Sequence, residues 1–208
     1  GYQTRSANMV KQQMGAVYAA LQELNLAYCP PPASYEDAQR VRMADTVLEE
    51  KKGTCLDLSV LYCSCLESIG LNPLLVLVKG HAMAGCWLEM ETFSDSLQYD
   101  VTAITKRTAH GIDAMSVVEC TAFVAGRATD FDKSEKLAAD ALSNAADFCF
   151  AVDIMRTRSG GIRPVPSKVS ENGTFKAVDY GDRKKNEITS APSELDIIGE
   201  TVAEDREV

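Results

Sequence analysis

Between Met9 and Leu26 the apolar residues Val10, Met14, Val17, Tyr18 and Leu21 fall at helical spacing and predict an amphipathic helix that closes near Asn25. Cys29-Pro30-Pro31-Pro32 breaks it. A polar stretch from Ser34 to Arg42 then leads to a short helical piece over Thr46 to Lys51, stopped by Gly53. From Thr54 to Ile69, the residues Leu58, Leu61, Tyr62, Cys65, Leu66 and Ile69 predict a buried helix, with Thr54 as N-cap, Asp57 in its first turn and Gly70 as its stop. Asn72-Pro73 turns the chain into Leu74-Leu75-Val76-Leu77-Val78, a run of the buried-strand kind.

Ala84 to Met90, carrying Trp87, predicts a second strand, and Met115 to Phe123 a third. The polar stretch Ser94 to Gly111 between them predicts an excursion with a short helix. A helix over Lys133 to Ala146 and a closing strand over Phe148 to Ile154 complete the pattern. Helices, an antiparallel core, one helix and a strand make an α+β arrangement. Residues 1–166 are expected to form the domain and 167–208, polar and acidic, a tail or linker. Gly1 stands just ahead of the first helix, and the expectation is a segment of a larger multidomain protein.

Composition narrows the function classes. The chain has 208 residues, 46% hydrophobic, enough for a real core, and a formal charge of −9. That charge offers no footprint for a phosphate backbone or an anionic membrane surface, so neither nucleic acid nor membrane is an expected partner of this segment. No apolar run reaches the roughly 18 residues of a spanning helix, and no leader pattern opens the chain. The cysteines Cys29, Cys55, Cys63, Cys65, Cys86, Cys120 and Cys149 are odd in number and mostly inside apolar runs, which suits buried thiols in a reducing compartment. A cytoplasmic location is expected. Cys63 and Cys65 diverge by about 200° around a helix, and zinc needs about four convergent ligands, so no metal and no cofactor is expected.

Cys55 is the cysteine with a chemical context. A thiol becomes a useful nucleophile when a helix N-terminus and an imidazole lower its pKa. Cys55 stands at the predicted helix start, and His81 follows after one helix and one strand, a path able to double back. The base then needs a third group to orient it. Glu119, among Val117, Val118 and Cys120, would be costly to bury without a partner and is the favoured acid, with Asp100 in the polar excursion as the alternative. The Cys55 backbone N–H offers an oxyanion donor, and a resemblance to papain-like enzymes, which place a glutamine upstream of the nucleophile, makes Gln39 the candidate for a second. Trp87 is read as core or as a wall of the substrate cleft. The other six cysteines are read as packing, His110 as solvated, Asp57 as a charge complementing the helix dipole, and Arg156, Arg158 and Arg163 as partners for acidic neighbours.

Gly53-Thr54-Cys55-Leu56-Asp57-Leu58, Glu67-Ser68-Ile69-Gly70-Leu71-Asn72-Pro73, Gly80-His81-Ala82 and Trp87 together resemble the bacterial transglutaminase-like domain. This module of the transglutaminase/papain-like cysteine protease superfamily occurs within large helicase-type multidomain proteins. The resemblance runs from about Tyr18 to Pro166. The chain departs from it at Glu119-Cys120-Thr121, where Asp-x-Thr is usual, and at Met83, where an aromatic often follows His-Ala. It implies a papain/transglutaminase-like fold with the nucleophile helix packed on a small antiparallel sheet, and acyl transfer through a thioester. The substrate would be a protein or peptide, and the outcome proteolysis, deamidation or cross-linking. The alternative expectation is an inactive copy of the fold serving as a protein-binding module.

Overall fold

A computed structural model describes residues 1–31, 40–171 and 174–178, with side chains to residue 166. The chain divides into two compact units, residues 1–161 and Ile162 onward. In the first, the amphipathic segment forms α1 (Ala7–Glu23), started by Ser6, whose hydroxyl accepts from the Met9 N–H. Two short pieces, β1 (Ala27–Tyr28) and β2 (Lys52–Gly53), flank α2 (Ala44–Glu50) and pair in parallel, Tyr28 against Gly53. Helix α3 (Cys55–Ser68) follows, then the strands β3 (Pro73–Val78) and β4 (His81–Trp87). The polar excursion holds β5 (Leu97–Gln98) and α4 (Thr102–Thr108). After it come β6 (Met115–Val118), α5 (Phe131–Ser143), β7 (Phe148–Asp153) and α6 (Ile154–Ser159).

The fold is α+β. Its main sheet runs in the order β5-β7-β3-β4-β6 with every neighbouring pair antiparallel. On one side Ala84, Cys86 and Val118 join a core built with Val10, Met14 and Tyr18 of α1 and Leu58, Leu61, Tyr62 and Leu66 of α3. On the other, Leu74, Val76, Met83 and Trp87 pack with Ile104 of α4 and Ala138 and Leu142 of α5. Alternate residues of β4 thus serve opposite layers, as the two-residue period of a strand requires. Each fully buried Leu of α3 contributes about 1.5–3 kcal/mol. Tyr62 crosses to α1, its hydroxyl donating 2.8 Å to the Met14 carbonyl.

Two strand boundaries differ from the sequence pattern. The second strand begins at His81 rather than Ala84, because Lys79-Gly80 forms a two-residue turn with Gly80 at φ 71°, so that Val78 already pairs with His81. The third strand ends at Val118 rather than Phe123. There the Glu119 carboxylate accepts from the Thr121 N–H at 2.8 Å and draws Cys120–Ala122 into a 3-10 turn, a local side-chain bond that replaces the ladder. Similarly, Asp130 caps α5 through the Lys133 N–H at 2.7 Å, starting that helix at Phe131. In the second unit, part of the stretch read as a tail forms a hairpin, β8 (Ser167–Glu171) with β9 (Thr174–Val178).

The start of α3 carries a dense polar contact. Thr54 Oγ1 accepts from the Asp57 N–H at 3.2 Å, and Asp57 Oδ2 accepts from the Thr54 N–H at 3.0 Å, a reciprocal capping box. Asp57, 0% exposed, also accepts from the Arg42 backbone N–H at 2.7 Å and Arg42 Nη1 at 2.9 Å. Removing its carboxylate strands buried donors and a helix cap together. Asp57→Ala is expected to lose about 2–4 kcal/mol in urea unfolding at neutral pH, from a cap of about 1 kcal/mol and deserted buried donors of about 1–3 kcal/mol.

Candidate active site

Cys55 is the first residue of α3, where unpaired backbone N–H groups and the helix dipole favour a negative sulfur. The approach to it is tight. A Cβ on Gly53 would stand 3.1 Å from Asp57 Cβ and 3.3 Å from Leu58, so the chain enters α3 without a side chain there. The β1–β2 pairing and the bond from Cys29 N–H to the Gly53 carbonyl (2.9 Å) lay Tyr28 alongside this entry. His81 opens β4. The register of β4 on β6, Ala84 against Val118, brings Glu119 one step beyond the ladder, level with Met83 and diagonal to His81.

These three residues meet. His81 Nε2 lies 2.6 Å from Glu119 Oε2, and the Cys55 thiol interacts with the same ring. Glu119 is itself oriented: its Oε1 accepts from the Thr121 N–H and Oγ1, both at 2.8 Å, and Thr121 Oγ1 accepts from Arg127 Nη1 at 3.0 Å. Cys55 is 5% exposed, and His81 and Glu119 side chains are 28% and 12% exposed.

The electrostatics follow from these contacts. Burial pushes the Cys55 thiol up, but the His81 hydrogen bond, the Ala82 backbone and the His81 charge outweigh it, and its pKa lies below the ordinary thiol value. The hydrogen bonds to Cys55 and Glu119 push His81 up to about 10 against its desolvation. Burial raises Glu119, and the hydrogen bond and charge of His81 together with the Thr121 bonds bring it below the usual carboxylate value. Burial drives Cys63, Cys65 and Cys120 the other way, and holds Cys86 at about 12. Cys55 alone of these thiols is poised as an ion-paired thiolate.

A cavity of about 450 Å³ opens beside the pair, lined by His81, Glu119, Thr121, Arg127, Thr129 and Leu137 among others. Of the expected site residues, Cys55, His81 and Glu119 converge. Asp100 does not: its exposed carboxylate is held by the Thr102 N–H at 2.9 Å and hydroxyl at 2.7 Å in the turn that begins α4, so the alternative acid falls away and the favoured Glu119 is the carboxylate beside His81. Of the two readings of Trp87, core or cleft wall, the cleft wall is the one corrected. Trp87 is 1% exposed, six residues along β4 from His81 or about 20 Å, with its indole N–H on the buried Asp153 at 3.0 Å, and serves the core rather than a cleft. Gln39 lies outside the described residues. Thr121, Tyr28 and Arg127 were not singled out by the sequence; the Glu-x-Thr spacing at 119–121 was the available signal for Thr121. Arg158, expected to pair, does so with Glu67 at 2.7 Å.

No family model, no curated protein and no solved structure matches the chain. Among the described residues, no helix is long and apolar enough to cross a membrane.

Because the Cys55 pKa is lowered, its thiolate persists to lower pH than an ordinary thiol's and is lost as pH falls through that lowered value. The charged His81 persists until pH rises through about 10. Peptide mapping after brief iodoacetamide treatment at pH 7 should therefore show Cys55 labelled ahead of the exposed Cys149. The rate should level off well below the unperturbed thiol midpoint of about 8.5, and His81→Ala should slow it about 10-fold or more at pH 7. A midpoint near 8.5 in the native protein would contradict the ion pair.

Proposed function

We propose that the chain is a thiol-dependent acyl-transfer enzyme of the transglutaminase/papain-like kind, acting on the amide bonds of a protein or peptide substrate. The observation that carries this reading is the series Cys55–His81–Glu119, with Cys55 at a helix start and His81 bonded to Glu119 at 2.6 Å. In this reading Cys55 Sγ attacks the carbonyl carbon, and a C–S bond forms as the carbonyl becomes an oxyanion facing the Cys55 N–H. His81 gives its proton to the leaving amine as the C–N bond breaks. Water or a second amine, deprotonated by His81, then attacks the thioester and releases the thiolate. Glu119 holds the ring in place and balances its charge through both steps. No metal or cofactor enters the scheme. The free thiols at all seven cysteines suit a reducing, cytoplasmic setting.

The rival, a papain-like fold kept for protein binding in a larger assembly, predicts an inert thiol. The two readings part on the acyl-enzyme. Intact-mass analysis after acid quench, with short acyl-peptide amides and esters as donors, should show an adduct on Cys55 that hydroxylamine releases. Steady-state turnover should fall about 100-fold to 10,000-fold in His81→Ala and vanish in Cys55→Ala. Donor turnover unaffected by Cys55→Ala, with no adduct, would sink the enzymatic reading and leave the binding module.

A further inference from the structure

Arg127 stands in the cavity wall beside His81 and Glu119, and its guanidinium is held from two directions. One edge donates through Nη1 to Thr121 Oγ1 at 3.0 Å, and the guanidinium carbon lies over the Tyr28 ring, 5.5 Å from its centroid. A guanidinium carries five N–H donors, and this anchoring uses one of them. Arg127 is exposed, and among the described residues no carboxylate forms an ion pair with it, whereas Arg42 and Arg158 both have one. The other charges on the cavity wall cancel, since Glu119 is paired with His81. The cavity therefore presents one cation with no carboxylate of the described residues in direct contact, already ordered, next to the reacting residues. In a chain of net charge −9 this is a local feature, and ions screen the wider field beyond about 8–10 Å.

We infer that Arg127 is a specificity residue that takes a carboxylate of the substrate, fixed close to the scissile amide, in the cavity between Leu137 and the His81–Glu119 pair. This inference rests on the thiol acyl-transfer reading of the same site. Arginine suits the task because its planar fork pairs with both oxygens of a carboxylate. Stacking on Tyr28 and the bond to Thr121 lower the entropy lost on binding. At about 450 Å³ the cavity has room for one or two amino-acid residues. The carboxylate has two sources, an Asp or Glu side chain on the acyl side of the bond, or a free chain terminus on the leaving side.

Matched covalent probes separate these sources. Peptidyl vinyl sulfones carrying Glu or Gln next to the reactive group test the acyl side. Peptidyl epoxysuccinates ending in a free acid or its amide test the other. The readout is the second-order rate of Cys55 labelling for each pair in wild type, Arg127→Gln and Arg127→Lys. Wild type should favour the acidic member of one pair by about 10-fold, the ratio should fall to about one in Arg127→Gln, and Arg127→Lys should retain part of it. A ratio near one for both pairs in wild type, or a preference that survives Arg127→Gln, would overturn the inference while labelling of Cys55 keeps the enzymatic reading. Equal slowing of both members with the ratio intact would confine Arg127 to holding Thr121, and also overturns it. Absence of selective labelling at Cys55 by every probe would overturn both readings together.

Discussion

The carboxylate of Asp57 gathers the Thr54 N–H, the Arg42 N–H and the Arg42 guanidinium at the first turn of α3, and much of the molecule is arranged from that point. A helix start leaves N–H groups without partners, and a buried one must find them. Here the cap satisfies the entry while the next position, Cys55, is free to use the field the helix produces. Fixing the axis of α3 also fixes which of its faces meets β4. Ser59 records this, donating to the Ala82 carbonyl at 3.1 Å, one residue from the histidine. The same constraint that seats the helix therefore seats the sulfur beside the imidazole.

Burial acts on the site in both directions. It disfavours a thiolate at Cys55, an imidazolium at His81 and a carboxylate at Glu119 taken singly, yet each charged form is stabilised by the next. The outcome depends on the completeness of the series. Cys63 and Cys120, more deeply buried than Cys55 and without a cationic neighbour, stay neutral. Depth of burial and the adjacent ring together separate the three thiols.

Much of this was legible in the chain. The helix from Thr54, its cap, and the strand after Asn72-Pro73 are local patterns, and the sequence carries them in full. Cys55 and His81 were readable because a helix start and a strand edge are positions with chemical meaning. Glu119 was chosen on the cost of burying a charge, and the structure gives it a partner, but by a turn rather than a strand. What the pattern lacked was long-range. Tyr28 reaches the site through a two-residue parallel pairing too short to show as a strand, and Arg127 through a loop after a 3-10 turn. Trp87 looked available to a cleft because nothing in its neighbourhood announces Asp153, 66 residues away. Its burial is decided by that distant acceptor.

The turn at Lys79-Gly80 gives the fold an uneven tolerance for change. Two residues separate Val78 from His81, and the turn is tied to the 3-10 segment Ala145–Asp147 by the Lys79 N–H on the Asp147 carbonyl at 2.8 Å and by Lys79 Nζ near Asp147 Oδ1 at 3.3 Å. Adding or removing one residue there would slip β4 against β3 and turn every side chain of the strand to the opposite layer, with the imidazole carried away from both neighbours. In the connection from Trp87 to Met115 only Leu97–Gln98 holds a register, on β7, so a change of length between Gln98 and Met115 leaves the pairing of β4 with β3 in place. A fixed spacing from the strand end at Val78 to the histidine is the mark that lineages descending from this sequence must keep.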